Sequence, residues 1–360
     1  MKTIFNYLRF AVLSAFFACA LTSCEKDDNG GGTSTPKEGT GVFILNEGTW
    51  GGNNSTISFY DFDLEETDFD ITNGELGSGG MDVLIHGSKV YVTVSTSGTI
   101  VVLDKVSKEI IKKIEVKGNA GQSREPHYLA FHAGKVYATT FDGNVVRIDT
   151  TSLNIDGITP VGANPEGITY ANGKLYVANS GGLNYSNIDN TLSVVGINNF
   201  QEETRITVGK NPYILKADNN GNIFITCRSI WKPDWSGIET PGCFQYLNTQ
   251  TKEVTTISDV SALKIAVDGD LCYYYDDSYP ANIGVYNTKT KSINKHFIAY
   301  ESSLAITIPY GIGVDPKTKE VYISETDYVT PDVVHVFDAN GKKQRTLDVG
   351  IGTCSFAFYR

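Results

Sequence analysis

A short sequence unit recurs along most of this 360-residue chain. Its marker is an aromatic residue inside an apolar run that follows a turn, as in Lys89-Val90-Tyr91-Val92-Thr93 and Lys174-Leu175-Tyr176-Val177-Ala178. Seven such aromatics occur, at successive spacings of 48, 46, 39, 48, 49 and 49 residues: Phe43, Tyr91, Tyr137, Tyr176, Phe224, Tyr273 and Tyr322. A period of this length is typical of repeat architectures, in which units that cannot bury their own apolar faces stack on one another.

Each unit has the pattern of a four-stranded antiparallel sheet. In the third unit the expected strands are about 128–131, 135–139, 144–149 and 155–161, separated by short turns. No stretch shows the sustained 3.6-residue apolar period of a helix. Four-stranded units at this period form the blades of a β-propeller around a central channel. We therefore predict an all-β protein in which residues 41–360 form one seven-bladed β-propeller.

The two ends of the repeat region complement each other. Residues 41–44 align with the second strands of the other units, so the first unit lacks its innermost strand. Residues 352–360 align with the missing first strands. A C-terminal strand that completes the N-terminal blade would close the ring by hydrogen bonds and leave no open edge.

Long loops on one face are expected to carry the binding residues, because loops on a rigid scaffold commonly do so. In a four-stranded meander, the loops between second and third strands share a face with the crossovers between blades. This face receives all three tryptophans together with tyrosines, amides and charged side chains, which suit a large flat ligand such as a corrinoid, a sugar or a polyphenol. The tryptophans could instead pack the loops onto the ring or contact another protein. The candidate ligand-binding residues are Trp50, Asn53, Asn54, Asp82, His127, Asn164, Glu166, Asn184, Tyr185, Tyr213, Arg228, Trp231, Trp235, Tyr279, Tyr310 and Tyr328.

Residues 1–23 have the pattern of a signal peptide, with a basic start and an apolar run over 10–21. The run ends in Leu21-Thr22-Ser23-Cys24, which is similar to a lipoprotein box, in which the cysteine is lipidated and becomes the new N-terminus. A simple secretory peptide followed by a coincidental cysteine is the alternative. Residues 24–40 have the composition of a flexible polar tether.

The acidic cluster Glu25-Lys26-Asp27-Asp28 resembles the surface-export signal of Bacteroidota lipoproteins. A merely soluble tether would have the same composition. We expect a protein anchored in the outer membrane by the lipid on Cys24 and exposed at the cell surface.

Two further motifs resemble known propeller families. Tyr91-Val92-Thr93-Val94 and Tyr176-Val177-Ala178-Asn179 resemble the repeats of YncE-like propellers, and this likeness covers about residues 41–360. The segment Ile44-Leu45-Asn46-Glu47-Gly48, followed by Asn53-Asn54-Ser55-Thr56-Ile57-Ser58 behind a lipoprotein box, resembles the BtuG-type surface lipoproteins. That resemblance implies a non-enzymatic protein that binds cobalamin or related corrinoids outside the cell. It also implies a partner, a TonB-dependent corrinoid transporter of the outer membrane, and contact with the membrane only through the lipid.

Charge and motif content argue against other functions. The formal charge of −11 would repel a phosphate backbone, so nucleic acid is not an expected partner. The chain has no nucleophile elbow, no zinc-protease helix motif and no phosphate-binding loop, and of its five histidines only His127 falls clearly on the loop-rich side. We expect no metal centre, no cofactor and no catalysis. A propeller hydrolase or lyase with a metal at the channel mouth, or an adhesion or scaffold propeller, remain the alternative functions.

Three pairs of acidic residues in the sequence allow a calcium site. The pairs Asp61/Asp63, Asp268/Asp270 and Asp276/Asp277 could each contribute ligands, although such pairs are more typical of solvated turns.

The cysteines allow one disulfide. Cys19 leaves with the predicted signal peptide and Cys24 would carry the lipid, which leaves four. Cys227 and Cys243 bracket the longest loop, where paired strands could bring them within bonding distance. Four plain buried thiols are equally consistent with the sequence.

Replacing the predicted lipid anchor tests the localisation. Cys24→Ala should release the protein from the membrane fraction, because the polar tether offers no other hydrophobic anchor. Cell fractionation with immunoblotting measures this, and Cys19→Ala is the matched control because that cysteine should leave with the signal peptide. A Cys24→Ala protein that stays in the salt-washed membrane fraction would contradict the anchor.

Overall fold

The computed structural model describes residues 39–182, 184, 186–298 and 305–360. In these residues the regular structure is all strand, as the repeat pattern predicts. The predicted signal peptide, Cys24 and nearly all of the tether lie outside the described residues, so they stay predictions. Within the described part, no helix has the length and apolar character needed to cross a bilayer.

The described residues form thirty strands. In chain order they are β1 (Gly41–Asn46), β2 (Thr56–Asp61), β3 (Glu66–Asp68), β4 (Gly80–His86), β5 (Lys89–Val94), β6 (Thr99–Asp104), β7 (Ile110–Glu115), β8 (Pro126–His132), β9 (Lys135–Thr140), β10 (Asn144–Asp149), β11 (Ile155–Pro160), β12 (Pro165–Ala171), β13 (Lys174–Asn179), β14 (Thr191–Gly196), β15 (Gln201–Thr207), β16 (Pro212–Ala217), β17 (Ile223–Cys227), β18 (Ile230–Trp231), β19 (Ile238–Thr240), β20 (Cys243–Leu247), β21 (Val254–Thr256), β22 (Ala262–Asp268), β23 (Leu271–Asp276), β24 (Ile283–Asn287), β25 (Ser292–Asn294), β26 (Pro309–Val314), β27 (Val321–Glu325), β28 (Val333–Phe337), β29 (Lys343–Asp348) and β30 (Thr353–Tyr359).

The strands form seven four-stranded antiparallel blades, which confirms the predicted seven-bladed β-propeller. Blade 1 has the order β3-β2-β1-β30. Blades 2, 3 and 4 are β4–β7, β8–β11 and β12–β15, and blades 6 and 7 are β22–β25 and β26–β29. Blade 5 has the order β16-β17-β20-β21, with β18 and β19 forming a separate two-stranded sheet.

The longest connection is more ordered than the sequence suggests. Residues 228–242 read as one long loop, but β18 and β19 pair within it as a hairpin, with Ile230 opposite Thr240. Ile230 is buried under the hairpin, whereas Trp231 and Trp235 remain largely exposed on it. The hairpin therefore buries the Ile230 side chain and leaves the two tryptophan side chains exposed to solvent.

The apolar core lies between neighbouring blades. Phe43 and Leu45 of blade 1 pack against Val83, Val90 and Val92 of blade 2 in one buried cluster. In the same way the Tyr91 ring of blade 2 packs against the second strand of blade 3. The marker aromatics fill these inter-blade spaces, since all seven are at most 4% exposed. Burying a large side chain in this way stabilises the fold by about 2 kcal/mol, so each repeat depends on the next.

The chain ends close the ring within blade 1. Strand β30 pairs with β1 in antiparallel register, with Phe43 opposite Ala357 and Val42 opposite Phe358. The last residue, Arg360, forms an ion pair with Asp315 of blade 7, whose carboxylate is fully buried. The predicted closure by a C-terminal strand is therefore confirmed, and it joins the first and seventh blades.

Two faces of the disc differ in the length of their loops. We call one the loop face; it carries the connections between the second and third strands of each blade and the crossovers into the first strands. Those connections are 47–55, 95–98, 141–143, 180–190, 228–242, 277–282 and 326–332. The opposite face has short turns, such as the two-residue turns after His86 and His132.

Deleting residues 354–360 should destabilise the whole propeller, because it removes the inner strand of blade 1 and bares the edge of β1. We expect the cooperative melting temperature to fall by more than about 10 °C, measured by calorimetry or circular dichroism.

A substitution within the same segment is the control for that deletion. Arg360→Gln keeps β30 in place and removes only the ion pair to Asp315, so it should cause a smaller loss. A truncated protein that melts at the wild-type temperature would refute closure by this strand.

Candidate functional site

Each blade delivers side chains to the channel mouth through a bulge at the start of its innermost strand. The register between the first and second strands of a blade shifts there in every case, for example between Pro126 and Leu129 and between Pro165 and Ile168. A bulge locally bends a strand and re-aims its side chains. The bulged residues that line the mouth are Met81, His127, Glu166, Tyr213, Leu263, Tyr310 and Cys354.

The sequence explains why the strands begin in this way. In blades 3, 4 and 5 a residue in the left-handed region, Glu125, Asn164 or Asn211, directly precedes a proline. Proline lacks the N–H needed for a regular ladder, so it suits the first residue of a strand or a bulge. In blade 2 the residue in the left-handed region is Gly79, where a residue with a side chain would be strained. The residue after the proline is thus turned toward the mouth.

Glu166 joins side chains from two other blades at the mouth. It is 4% exposed, and its Oε2 lies 3.0 Å from Nδ1 of His127. Its Oε1 accepts a hydrogen bond from Nη1 of Arg228 at 3.3 Å. Burial alone would raise the pKa of Glu166, but Arg228 and His127 outweigh it and hold that pKa below its ordinary value. The carboxylate therefore stays charged and fixes a side chain from each neighbouring blade.

Aromatic rings surround these charges. The Arg228 guanidinium lies over the Tyr213 ring, 3.4 Å from its centre. The Tyr128 hydroxyl donates to the Tyr213 hydroxyl at 2.8 Å, and the His127 ring stacks on Phe141 with centres 4.5 Å apart. Burial raises the pKa of Tyr128 well above its ordinary value, so this phenol stays neutral and acts as a donor.

A second group of aromatics lies across the mouth. The Tyr310 hydroxyl donates to Oε2 of Glu47, and burial followed by the charge of Glu47 raises the pKa of Tyr310. The Tyr275 hydroxyl donates to the Tyr310 carbonyl at 2.8 Å. The Tyr310 and Tyr328 rings meet edge to face, with centres 5.4 Å apart. These contacts fix Tyr310 as one wall of the mouth.

Lys264 also lies at the mouth, although it is not among the candidate residues that the sequence predicts. Its Nζ sits 4.6 Å from the centre of the Tyr310 ring and 3.5 Å from the Cys354 carbonyl oxygen. Blade 6 begins its inner strand with Ala262-Leu263-Lys264, whereas the inner strands of blades 3, 4, 5 and 7 begin with a proline, so the sequence does not show that these positions are equivalent. Aligning the bulged starts of the inner strands would have found Lys264, whereas only the fold shows that Glu47 reaches Tyr310.

Two adjoining cavities open on the loop face. The larger, of about 530 Å³, extends from Trp50 past His127 to Tyr310. The smaller, of about 330 Å³, extends from Tyr213 to Tyr279 and Tyr328. Both cavities are lined by the same four residues, which we call the saddle: Tyr213, Arg228, Lys264 and Tyr310. They therefore form one continuous trough across the channel mouth, which we call the mouth trough.

Asp82 lies below the mouth trough. It lines a narrow cavity of about 70 Å³ inside the channel. Its Oδ1 accepts a hydrogen bond from the Ser355 hydroxyl at 2.7 Å, and its Oδ2 accepts one from the Leu129 N–H at 3.0 Å. Asp82 thus joins the inner strands of blades 1, 2 and 3, and a ligand contact for it stays a prediction.

The predicted asparagines shape loops outside the trough. Asn53 and Asn54 are exposed, and Oδ1 of Asn54 accepts a hydrogen bond from the Thr49 N–H at 3.0 Å. Asn164 donates through Nδ2 to the Phe141 carbonyl at 3.1 Å, which holds Phe141 beside His127. Asn184 is exposed, and Tyr185 lies outside the described residues. Their role as ligand contacts stays a prediction.

Trp231 and Trp235 lie on the β18–β19 hairpin and line neither cavity. Their rings are 6.4 Å apart at a tilt of 33°, and they are 46% and 71% exposed. They add apolar surface to the loop face beside the trough. The other predicted aromatics, Trp50, Tyr279 and Tyr328, do line the trough.

Cys227 and Cys243 occupy opposite positions on β17 and β20 at the base of this hairpin. Both thiols are free in the structure. Hydrogen bonding from Cys243, followed by burial, raises the pKa of Cys227. The register brings the two cysteines together as the sequence suggests, and the disulfide itself stays a prediction.

The acidic pairs have local partners. Asp61 Oδ1 accepts hydrogen bonds from the Asp63 and Leu64 N–H groups, and Asp268 pairs with Lys319 at 2.8 Å. Asp276 caps its own loop through Asn282. Among the described residues, no group of three or more His, Cys, Asp or Glu side chains is placed to hold a metal ion.

One protein family matches the chain over nearly the whole propeller. Its description reads "Domain of unknown function (DUF5074)", and the match covers residues 40–353. Among curated proteins, none matches the chain well enough to count as a relative.

Solved structures share the fold at low sequence identity. A functionally unknown protein from Desulfotomaculum acetoxidans has a TM-score of 0.64 at 16% identity, over 89% of this chain and 99% of that one. A quinoprotein alcohol dehydrogenase-like protein from Bacteroides thetaiotaomicron has a TM-score of 0.63 at 16% identity, over 89% and 78% of the two chains. Hydrazine synthase from Kuenenia stuttgartiensis has a TM-score of 0.59 at 13% identity, over 77% and 88%. At these identities the likeness shows the propeller fold alone.

Neutralising Glu166 should destabilise the protein at neutral pH. Glu166→Gln removes the charge that holds His127 and Arg228, so the free energy of unfolding at pH 7 should fall by about 2 kcal/mol. The folded pKa of Glu166 lies below its ordinary value of 4.5. Its stabilising effect is therefore present above pH 4.5 and is lost as the pH falls below that value.

Denaturant titrations of both proteins from pH 7 to about pH 3 measure this difference. Glu125→Gln is the control, because Glu125 is an exposed carboxylate on the same trough and should have little effect. A wild-type advantage that grows as the pH falls would contradict the assignment.

Proposed function

The chain belongs to the DUF5074 family, and from that premise we propose that it is a non-catalytic binding protein of the cell surface. It captures cobalamin or a related corrinoid in the mouth trough and passes the ligand to a TonB-dependent transporter of the outer membrane. The lipid on Cys24 holds it at the membrane.

The observation that carries this proposal is the continuity of the two cavities. Because both share the saddle, the trough runs from Trp50 on one side to Tyr279 on the other. Aromatic rings from five blades line it, which offers broad flat contact area. The rings are those of Trp50, Tyr128, Phe141, Tyr213, Tyr275, Tyr279, Tyr310 and Tyr328. A corrin macrocycle is large and flat, so it matches a trough of this kind.

The polar lining supports the same ligand class. Hydroxyl groups of Ser78, Ser95 and Thr96 and the carboxylate of Glu125 lie along the larger cavity. Together they provide both donors and acceptors for amides, and the corrin ring is fringed by amide side chains. A pocket with an apolar body and a few convergent polar groups is the usual form of a small-molecule site.

The trough is also preformed, which favours tight capture. Its walls stand on inner strands that are hydrogen-bonded into the ring, and Glu166 and Glu47 fix side chains across it. A site that needs no ordering loses less free energy on binding than a mobile one. Tight capture followed by release requires a partner that competes for the same ligand contacts, which is the part we assign to the transporter.

Two aromatic residues at the ends of the trough test the capture of a corrinoid. Trp50→Ala and Tyr279→Ala should each weaken cyanocobalamin binding by about 2 kcal/mol, or about 30-fold. Both side chains are largely exposed, at 100% and 79%, so the substitutions should leave the melting temperature unchanged. Calorimetric titration of the purified protein measures the affinity.

The matched control is Phe131→Ala, which removes an aromatic ring that is 47% exposed beside the turn on the opposite face. It should leave the affinity unchanged. A purified protein that binds no corrinoid would refute the ligand assignment. Metal-dependent turnover of a substrate would favour the hydrolase or lyase alternative.

A further inference from the structure

The saddle has an unusual balance of charge for an acidic protein. Its four residues are two cations and two tyrosines, without a carboxylate. The formal charge of the chain is −11, so cations at the one place shared by both cavities run against the overall charge.

Lys264 is the less neutralised of the two cations. Its Nζ forms no ion pair with a carboxylate of the described residues; it lies against the Tyr310 ring and the Cys354 carbonyl oxygen, and the charge of Glu166 acts on it from farther away. Both contacts leave protons of the ammonium group available toward the trough, because an ammonium has three donors. Its partly buried position weakens solvent screening of the charge.

Arg228 is only partly neutralised. Its ion pair uses Nη1 alone, at 3.3 Å from Glu166, and its side chain remains 39% exposed. Glu166 in turn divides its two oxygens between Arg228 and His127. A guanidinium has five N–H donors in a planar fork that matches an oxyanion, so the donors that do not serve Glu166 or Tyr213 are available to a ligand.

Two carboxylates that line the trough, Glu47 and Asp276, accept hydrogen bonds from other groups and form no ion pair with either saddle cation. Glu47 accepts the Tyr310 hydroxyl, and Asp276 accepts groups of its own loop. Tyr213 accepts a hydrogen bond from Tyr128, which leaves its own hydroxyl proton to donate. The saddle therefore presents an ammonium, a guanidinium edge and a phenol.

We propose that Arg228 and Lys264 form an oxyanion subsite at the saddle, which takes a singly charged phosphodiester or carboxylate group of the ligand. The inference rests on the proposed function, because it assigns which part of a corrinoid the saddle holds. Cobalamin carries one phosphodiester in its nucleotide loop, whereas cobinamide lacks that loop. The saddle thus selects complete corrinoids over cobinamide.

The decisive variant is Lys264→Met, which keeps an apolar stem against Tyr310 and removes the charge. It should weaken cobalamin binding about tenfold more than it weakens cobinamide binding, as expected for a lost charged hydrogen bond to the phosphodiester. Lys264→Arg should retain the preference for cobalamin. Lys216→Met is the matched control, because Lys216 lies on the inner strand β16 but lines only the narrow cavity inside the channel.

A second measurement needs no corrinoid. Titration with inorganic phosphate, followed by phosphorus NMR line broadening, should show binding to the wild type and to Lys216→Met but not to Lys264→Met. Competition by dimethyl phosphate or by acetate then distinguishes a phosphodiester site from a carboxylate site. Binding of either anion at the saddle supports the subsite.

The comparison of cobalamin with cobinamide and the phosphate titration together distinguish a failure of the subsite from a failure of the proposed function. If the wild type binds cobalamin and cobinamide equally, or if Lys264→Met weakens both alike, the subsite is wrong and corrinoid capture stands. If no corrinoid binds but phosphate binding depends on Lys264, the subsite stands and the corrinoid assignment is wrong. If neither corrinoid nor phosphate binds, both are wrong.

Discussion

The pairing of β30 with β1 is the constraint on which the rest of the structure depends. Every blade buries apolar side chains against both of its neighbours, so no blade has a complete core of its own. Closing the ring with a strand from the far end of the chain supplies the last neighbour and removes the last open edge. The mouth trough follows from that closure, because its walls come from blades that are distant in sequence and meet only in the ring.

The fold was largely predictable because its signals are local and repeated. The marker aromatics recur with a period set by the blade, and their burial is what holds neighbouring blades together. The positions of His127, Glu166 and Tyr213 at the mouth were predictable for a similar reason, since each directly follows a proline at a crossover. Lys264 was hidden because blade 6 lacks that proline, and Glu47 because its partner Tyr310 is 263 residues away. Trp231 and Trp235 were predicted as ligand contacts from their place in a long loop of the loop face, but they lie on the β18–β19 hairpin and line neither cavity of the trough.

The net charge of the chain does not predict the charge at a particular place on its surface. The acidic character of the whole chain predicts its behaviour toward large polyanions, which sense the summed field. It does not predict the saddle, where the bulged strands bring a lysine and an arginine together over tyrosine rings. A small anion senses that local arrangement rather than the net charge, because most of the acidic residues are separated from it by solvent.

Because blade 1 takes strands from both ends of the chain, it also determines the order in which the blades can form. Phe43 and Ala357 are 314 positions apart in the chain, yet they lie opposite each other in one sheet. Blades 2 to 7 each draw their four strands from a continuous stretch, so the strands of each can pair once that stretch and its neighbours have been synthesised. Blade 1 must wait with β1 unpaired on its inner side until the last strand arrives, and contacts of such long separation form slowly. The earliest part of the propeller to be made is therefore the last to be finished.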